Sequence, residues 1–552
     1  MAAATQAAAL TGYRFDAHLA ASKRYSPSPS IALTFRHAQA PAPPQTSGAE
    51  SGPRDPSSNG MESTSSTWLG DAPVNSGLAG AELEVGLYAS KCAMAQADGT
   101  VLARDLANGR SDDVTPDRLV QVAESIAEVM RKGGARAAVR CIRGVDALRA
   151  EGMEMFAAVG QGASPASAAP CLVWIEYDGT VGSSSGSGAD GPAWFEDEDE
   201  ETGHVTADAA STSSSSSRPQ PFLCLGKAIT FDTGGLNLKP SGSIGDMHLD
   251  MGGGAASLGA ALAVGRMQLP VRAVFAAACA ENAIGPDAYK PHAILHSRRG
   301  ISVHNNNCDA EGRLVLADAL DYLQEKCRPH TVVDLATLTG ACVAALGEYA
   351  AGMFTNSDPL AARLREVGVG THERVWRMPI LPEHADQLVG KSGKDHADLL
   401  STGDAGACTA AAFLRRFIGP REGQGTAGST RDGDSNSEAG DEEDNAIGEH
   451  IEGGGGKVAW AHIDIAGPGM RNRPDLYFRK GGTGFGAALV SEYLRLYGEG
   501  GRPGLYVSPE ESPVLAGLSR SGLRQLVGVD LGARGTEADR EASLRQEGVP
   551  MD

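Results

Sequence analysis

From residue 222 onward, apolar runs of strand length alternate with apolar patterns at helical spacing. Residues 222–225, 271–279, 331–336 and 458–465 are near-continuous apolar runs, the pattern of strands buried on both faces. Between and after them, residues 255–267, 314–326, 409–418 and 485–497 read as helices, the second amphipathic. Upstream, Thr115 suits an N-cap and Pro116 the first helical position. Leu119, Val122, Ile126 and Val129 then continue a helix to Arg131. Residues 82–88 read as a strand, 137–142 and 171–177 as two more, and 145–156 as a short helix. This alternation predicts an α/β fold: a three-layer sandwich with a mixed, mostly parallel central sheet covered by helices on both faces.

Three stretches break the pattern. Residues 1–75 are rich in Ala, Ser and Pro and are expected to be disordered. Up to Ala49 their only acid is Asp16, against Arg14, Lys23, Arg24 and Arg36. That composition suits an organelle transit peptide and equally a plain disordered tail. Residues 178–220 and about 420–456 are acidic, Gly/Ser-rich insertions, and residues 499–552 form a polar tail. The formal net charge is −21. Residues 178–220 contribute −8 of it and residues 421–455 another −8. The global acidity therefore says little about the substrate, and nothing points to a nucleic-acid surface. The expected organisation is 1–75 disordered, 76–170 a reduced N-terminal region with a linking helix, 171–498 a catalytic domain carrying both insertions, and 499–552 the tail.

Nine scattered cysteines form no C-x-x-C pair, which fits buried free thiols in a reducing compartment. No run of 18 apolar residues is present, so no membrane partner is expected.

The chemistry concentrates between Gly226 and Arg313. Lys227, Asp232, Lys239 and Asp250 stand in one cluster and Asp309, Glu311 and Arg313 in another, within Gly/Ala-rich sequence. Singly, Asp309 and Glu311 read as first-turn acids of a helix, Asp232 as a turn residue and Asp250 as a cap. Together they sit at strand-to-helix junctions, where open α/β sheets place their sites. Their types suit a pair of divalent cations that activate a water and polarise a carbonyl.

The strings Gly226-Lys-Ala-Ile-Thr-Phe-Asp-Thr-Gly-Gly235, Lys239-Pro240, Asp250-Met-Gly-Gly253 and Asn307-Cys-Asp-Ala-Glu-Gly-Arg-Leu314 resemble the signatures of the leucyl aminopeptidases, the cytosol aminopeptidase family of dizinc exopeptidases. Ala103-Arg-Asp-Leu-Ala-Asn108, Ala336-Thr-Leu-Thr-Gly340 and Trp460-Ala-His-Ile-Asp-Ile-Ala-Gly467 extend the resemblance. It implies one metal held by Lys227, Asp232, Asp250 and Glu311. A second would be held by Asp232, Asp309 and Glu311, with the Asp309 carbonyl. Zn2+ is implied, with Mn2+ or Mg2+ as alternatives. Lys239 and Arg313 are implied as catalytic, the first at the scissile carbonyl and the second holding a bicarbonate that serves as general base. Met247, Thr337, Gly340 and Ala466 match positions lining the substrate side-chain pocket, and Leu338 would add backbone contacts.

The implied activity is release of N-terminal residues, Leu or other apolar ones by preference, from peptides. Two alternatives remain open: a Cys-Gly-type dipeptidase of glutathione turnover, and a noncatalytic chaperone or binding protein retaining the fold. The resemblance implies a homo-hexamer and a cytoplasmic location, with plastid or mitochondrion expected if residues 1–75 are a transit peptide. Three departures stand out. Cys308 replaces the usual Thr and is expected to be oxidation- or metal-sensitive. Gly469 replaces a larger residue and is expected to widen the pocket. The family's N-terminal domain is expected to be truncated or absent.

Overall fold

A computed structural model describes residues 78–164, 166–180, 221–388, 397–398, 404–419, 458–475 and 478–498, with side chains from residue 88 onward except at 397–398. The expected N-terminal disorder, both acidic insertions beyond residue 180 and 419, and the C-terminal tail lie outside the described residues.

Eight strands form the main sheet. They are β1 (Arg136–Arg143), β2 (Cys171–Asp178), β3 (Phe222–Asp232) and β4 (Arg272–Asn282), followed by β7 (Thr331–Ala336), β8 (Ala351–Thr355), β9 (Val375–Arg377) and β11 (Ala459–Asp464). Between β4 and β7, β5 (Ile294–His296) and β6 (Ser302–His304) pair with β10 (Ala397–Asp398) in a separate small sheet, and β12 (Met470–Arg471) pairs with β13 (Gly481–Gly482). The order is β1-β2-β4-β3-β7-β11-β8-β9. The central β4, β3, β7 and β11 are mutually parallel. Antiparallel β2 and β1 extend one side, and β8 joins antiparallel to β11 on the other.

Alternate residues of β4 show why the strands are apolar throughout. Ala273, Phe275, Ala277 and Cys279 enter one core, while Val274, Ala276, Ala278 and Ala280 enter the other. The first core is covered by α1 (Leu78–Ala107), α2 (Pro116–Lys132), α5 (Gly252–Met267), α8 (Asp358–Gly370) and α10 (Ala487–Tyr497). The second is covered by α3 (Val145–Ala150), α4 (Glu154–Gly160), α6 (Glu311–Cys327) and α9 (Gly406–Arg415). A further helix, α7 (Gly340–Leu346), follows β7. The three-layer α/β sandwich read from the alternation is the fold found. Thr115 caps α2 as expected, its side chain accepting from the Arg118 N–H, with Pro116 in the first turn.

The strand expected at residues 82–88 is instead part of α1. Leu83, Val85 and Leu87 alternate with a period of two, the local pattern of a strand. Tertiary packing decides the matter. Cys92, Ala95, Leu102, Ala103 and Leu106 bury against α5. At the crossing, a Cβ on Gly99 would lie 2.2 Å from the Gly259 carbonyl oxygen, and one on Gly259 would lie 2.4 Å from the Gly99 oxygen. Two backbones this close require glycine on both helices.

Candidate metal centre

The site forms where β3 ends, beside the first turn of α6. Lys227 and Asp232 are five residues apart and would face opposite sides of a regular strand. The register of β3 against β4 shifts between Ile229 and Phe231. Such a bulge re-aims side chains, and both residues reach one site. Lys227 Nζ lies 2.7 Å from Glu311 Oε1 and 2.8 Å from Asp250 Oδ2, and donates to the Thr337 carbonyl at 3.1 Å. Lys239 Nζ lies 2.8 Å from Asp232 Oδ2 and 2.5 Å from Asp309 Oδ1. Each lysine thus spans two carboxylates. Gly312 makes room for the first: a Cβ there would sit 2.6 Å from Lys227 Nζ.

Burial sets the electrostatics. It pushes the Asp250 and Glu311 carboxyls above their usual range, reinforced by neighbouring carboxylates and opposed by Lys227. Asp309 is raised for the same first reason, with Lys239 opposing. Burial pulls both lysines down, but the surrounding carboxylates outweigh it and hold both ammonium groups charged. Burial lowers Arg313 to about 10, opposed by Glu311 and Asp464. Crowded buried carboxylates are costly unless cations compensate them.

The donor set fits divalent cations. Asp232, Asp309 and Glu311 each offer an oxygen within 4.8 Å of the others. Glu311 Oε2 is buried with no hydrogen-bond partner, the condition of an oxygen awaiting a ligand. Hard oxygen donors suit Zn2+, Mn2+ or Mg2+, and Lys227 adds an amine donor once a bound cation displaces its proton.

Of the implied pocket residues, Thr337 touches this centre directly. Thr337 Oγ1 donates to Asp250 Oδ1 at 2.7 Å, and the Asp250 N–H bonds to the Met247 carbonyl at 3.3 Å. Leu338 and Ala466 donate backbone N–H groups to Asp464. Gly340, which opens α7, is exposed.

Several participants were not singled out from the sequence. Asn282, at the end of β4, donates Nδ2 to Asp232 Oδ1 at 2.8 Å and to the Cys308 carbonyl at 3.0 Å. Asn237 accepts from the Cys308 N–H, and Asn307 accepts from the Asp309 N–H. Tyr289 donates its hydroxyl to the Cys308 carbonyl at 2.7 Å. Polar residues ending apolar runs, such as Asn282 and Asp464, were the available signal.

Two expectations change. Cys308 is fully buried, its thiol engaged by Asn305 and the Tyr289 carbonyl. Burial raises its pKa, so the thiol is protected rather than reactive. Gly469 does not simply enlarge a pocket. A Cβ there would lie 2.6 Å from the Ile465 carbonyl oxygen and 3.5 Å from Thr337 Cγ2. The tight turn after β11 has no room for a side chain.

The model of the cytosol aminopeptidase family catalytic domain matches residues 210–491. A probable cytosol aminopeptidase of Chlamydia felis is 33% identical over 402 residues, covering 72% of this chain and 64% of the relative. Another, of Chloroherpeton thalassium, is 41% identical over 276 residues, covering 49% and 46%. The chain thus spans less than two thirds of the length of these relatives. Among solved structures, the Coxiella burnetii cytosol aminopeptidase is 26% identical with a TM-score of 0.56, covering 74% of this chain and 70% of that one. The bottromycin maturation enzyme BotP, in complex with Mn, is 28% identical with a TM-score of 0.54, covering 74% and 71%. With its catalytic-domain match extending over half of its length, the chain belongs to the cytosol aminopeptidase family.

Proposed function

We propose that this protein is a metal-dependent aminopeptidase that releases N-terminal residues, preferably Leu or other apolar ones, from peptides, with residues 171–498 as its catalytic unit. The observation that carries the reading is the convergence of four carboxylates and two lysines beside the unpartnered Glu311 Oε2.

Lys227, Asp232, Asp250 and Glu311 would hold one metal ion, and Asp232, Asp309 and Glu311 the other. When bound, the two ions supply a nucleophilic water at neutral pH and Lewis-acid polarisation of the peptide carbonyl. Lys239 keeps its charge and reaches into the centre, so it can donate to the oxygen that becomes negative as the carbonyl carbon turns tetrahedral. Arg313, nine-tenths buried, is assigned to seat a bicarbonate as general base. Asp250 also takes part in holding the substrate's free α-amine, which restricts cleavage to N-terminal residues. Met247, Thr337, Gly340 and Ala466 line the side-chain pocket, with Leu338 offering backbone groups.

Mn2+ is a natural first ion to test, because BotP is described with Mn. A cytoplasmic location and a homo-oligomeric assembly complete the reading. No helix among the described residues is long and apolar enough to cross a membrane.

The purified chain should be assayed on leucyl and Cys-Gly substrates with Zn2+, Mn2+ or Mg2+, beside Lys239→Ala and Asp309→Ala. Leucyl hydrolysis lost in both variants is expected. Activity indifferent to either substitution would overturn the mechanism. Exclusive Cys-Gly hydrolysis would restrict the enzyme to dipeptides. A folded but inert wild type with every metal would establish a noncatalytic role.

A further inference from the structure

We propose that Asp464 is a specificity-determining positioning residue: its carboxylate ties the two walls of the side-chain pocket together and sets their separation. The proposal rests on the aminopeptidase reading above for the identity of that pocket.

β7 and β11 run parallel, with Asp464 opposite Ala336. Their ladder closes with the Ile465 N–H bonding the Ala336 carbonyl at 2.8 Å. Beyond that bond each strand leaves the sheet as a loop. One loop carries Thr337 and Leu338 and leads into α7 at Gly340, and the other carries Ala466. Asp464 is fully buried and binds both. Its Oδ1 accepts from the Leu338 N–H at 3.2 Å, the Thr339 N–H at 3.4 Å and the Ala466 N–H at 3.1 Å. Its Oδ2 accepts from the Thr339 hydroxyl at 2.6 Å. Thr339 Oγ1 in turn accepts from the Cys342 N–H at 3.0 Å, anchoring this wall to α7.

A buried carboxylate needs donors around both oxygens; here three longer backbone contacts share Oδ1 and one short hydroxyl bond holds Oδ2. The donors to the Asp464 carboxylate, from Leu338, Thr339 and Ala466, lie on the two pocket loops. No other residue type supplies two acceptor-only oxygens on so short a stem. Loss of the carboxylate leaves the Leu338, Thr339 and Ala466 N–H groups without their acceptor, so the walls must shift to satisfy them. Such a shift changes which side chain fits; it touches the metal centre only through Thr337, which bonds Asp250 and Lys227, whereas Lys239 keeps its bridge between Asp232 and Asp309.

The test compares kcat and KM for N-terminal Leu, Ala and Phe amides in wild type, Asp464→Ala, Asp464→Asn and Thr339→Val, with Mn2+ affinity measured in parallel. In Asp464→Ala the Leu/Ala ratio of kcat/KM should change by about tenfold, the scale set by one or two methylenes in an apolar pocket. That change should fall mainly on KM, with Mn2+ still bound through Asp232, Asp309 and Glu311. Asp464→Asn keeps one acceptor oxygen and should restore most of the ratio. Thr339→Val, which removes one donor to Asp464 and the acceptor of the Cys342 N–H, should move the ratio in the same direction and serves if Asp464→Ala does not fold. Equal losses on all three substrates, or unchanged ratios in both Asp464→Ala and Thr339→Val, would overturn the proposal. If the wild type hydrolyses none of them, the aminopeptidase reading fails by itself. The pocket is then read by calorimetric binding of leucine amide against alanine amide. Selectivity lost in Asp464→Ala supports the clamp, and selectivity unchanged or absent overturns it.

Discussion

Lys239 is the residue whose removal separates chemistry from assembly. Its ammonium sits between Asp232 and Asp309 but is not needed to close the sheet. Lys239→Ala should lower kcat by roughly 10²–10³, the usual cost of deleting one donor to a developing oxyanion, while the melting temperature with Mn2+ bound moves little, because the cations still compensate the carboxylates. Steady-state kinetics with a thermal melt on the same sample checks both. Glu373 makes the opposite case. Gly486 precedes α10 and offers no side chain as a cap. Glu373 reaches across instead, its Oε2 accepting from the Leu489 N–H at 2.7 Å. Glu373→Ala should destabilise by about 1–3 kcal/mol through orphaned helix N–H groups. Burial raises the Glu373 pKa to about 7, with backbone donors opposing. The folded state therefore holds this proton more tightly than the unfolded one. Its contribution to stability is fully present below about 4.5 and is lost as pH rises to about 7. Urea denaturation across that window should show a decline that flattens in Glu373→Gln.

At the scale of elements, the decisive contact is the crossing of α1 with α5. α5 is buried along nearly its whole length, and its N-terminus follows Asp250 directly. Whatever seats α5 also seats Asp250. Gly259→Val would force the two backbones apart. Overpacking of this kind costs about 1–3 kcal/mol, and here the displacement would also reach the metal centre. Denaturant melts should show the loss, and Mn2+ titration of the variant should show weakened binding. The pairing of β7 with β11 matters for a related reason. Their shared end defines the point at which both pocket loops begin.

For the whole molecule, the metal centre couples function to stability. Its carboxylates lie on β3, on the segment before α5, and on the loop and first turn that begin α6. A cation bound there links elements on both faces of the sheet. Divalent metal at 100 times its dissociation constant should stabilise the fold by about 2.7 kcal/mol. Excess EDTA should reverse that gain, and Asp309→Ala should reduce it. Calorimetric scans with and without Mn2+ read all three states. The edge strands β1 and β9 lie far apart in the sheet order, so the site sits on central strands, where movement at an edge disturbs it least.

The sequence by itself determined the sandwich and the carboxylate cluster. Buried strands must be apolar on both faces, and a helix needs apolar residues at its own period. The residues at 331–336 therefore announced a strand that the structure matches end to end. Charges in apolar sequence announced the site, because such charges require compensation. The structure alone decided the rest. Residues 78–107 form a helix because α5 offers a glycine to meet Gly99, a contact no local pattern contains. β8 and β9 are short strands held by neighbours distant in sequence. The β3 bulge, the room beside Gly312 and the protected thiol of Cys308 depend on close approaches of separate elements. In sequence Asp464 stands only within the Trp460–Gly467 string, with no role of its own. Its role as the tie between two loops arises because β7 and β11 lie side by side, and that adjacency is set by packing rather than by any stretch of the chain.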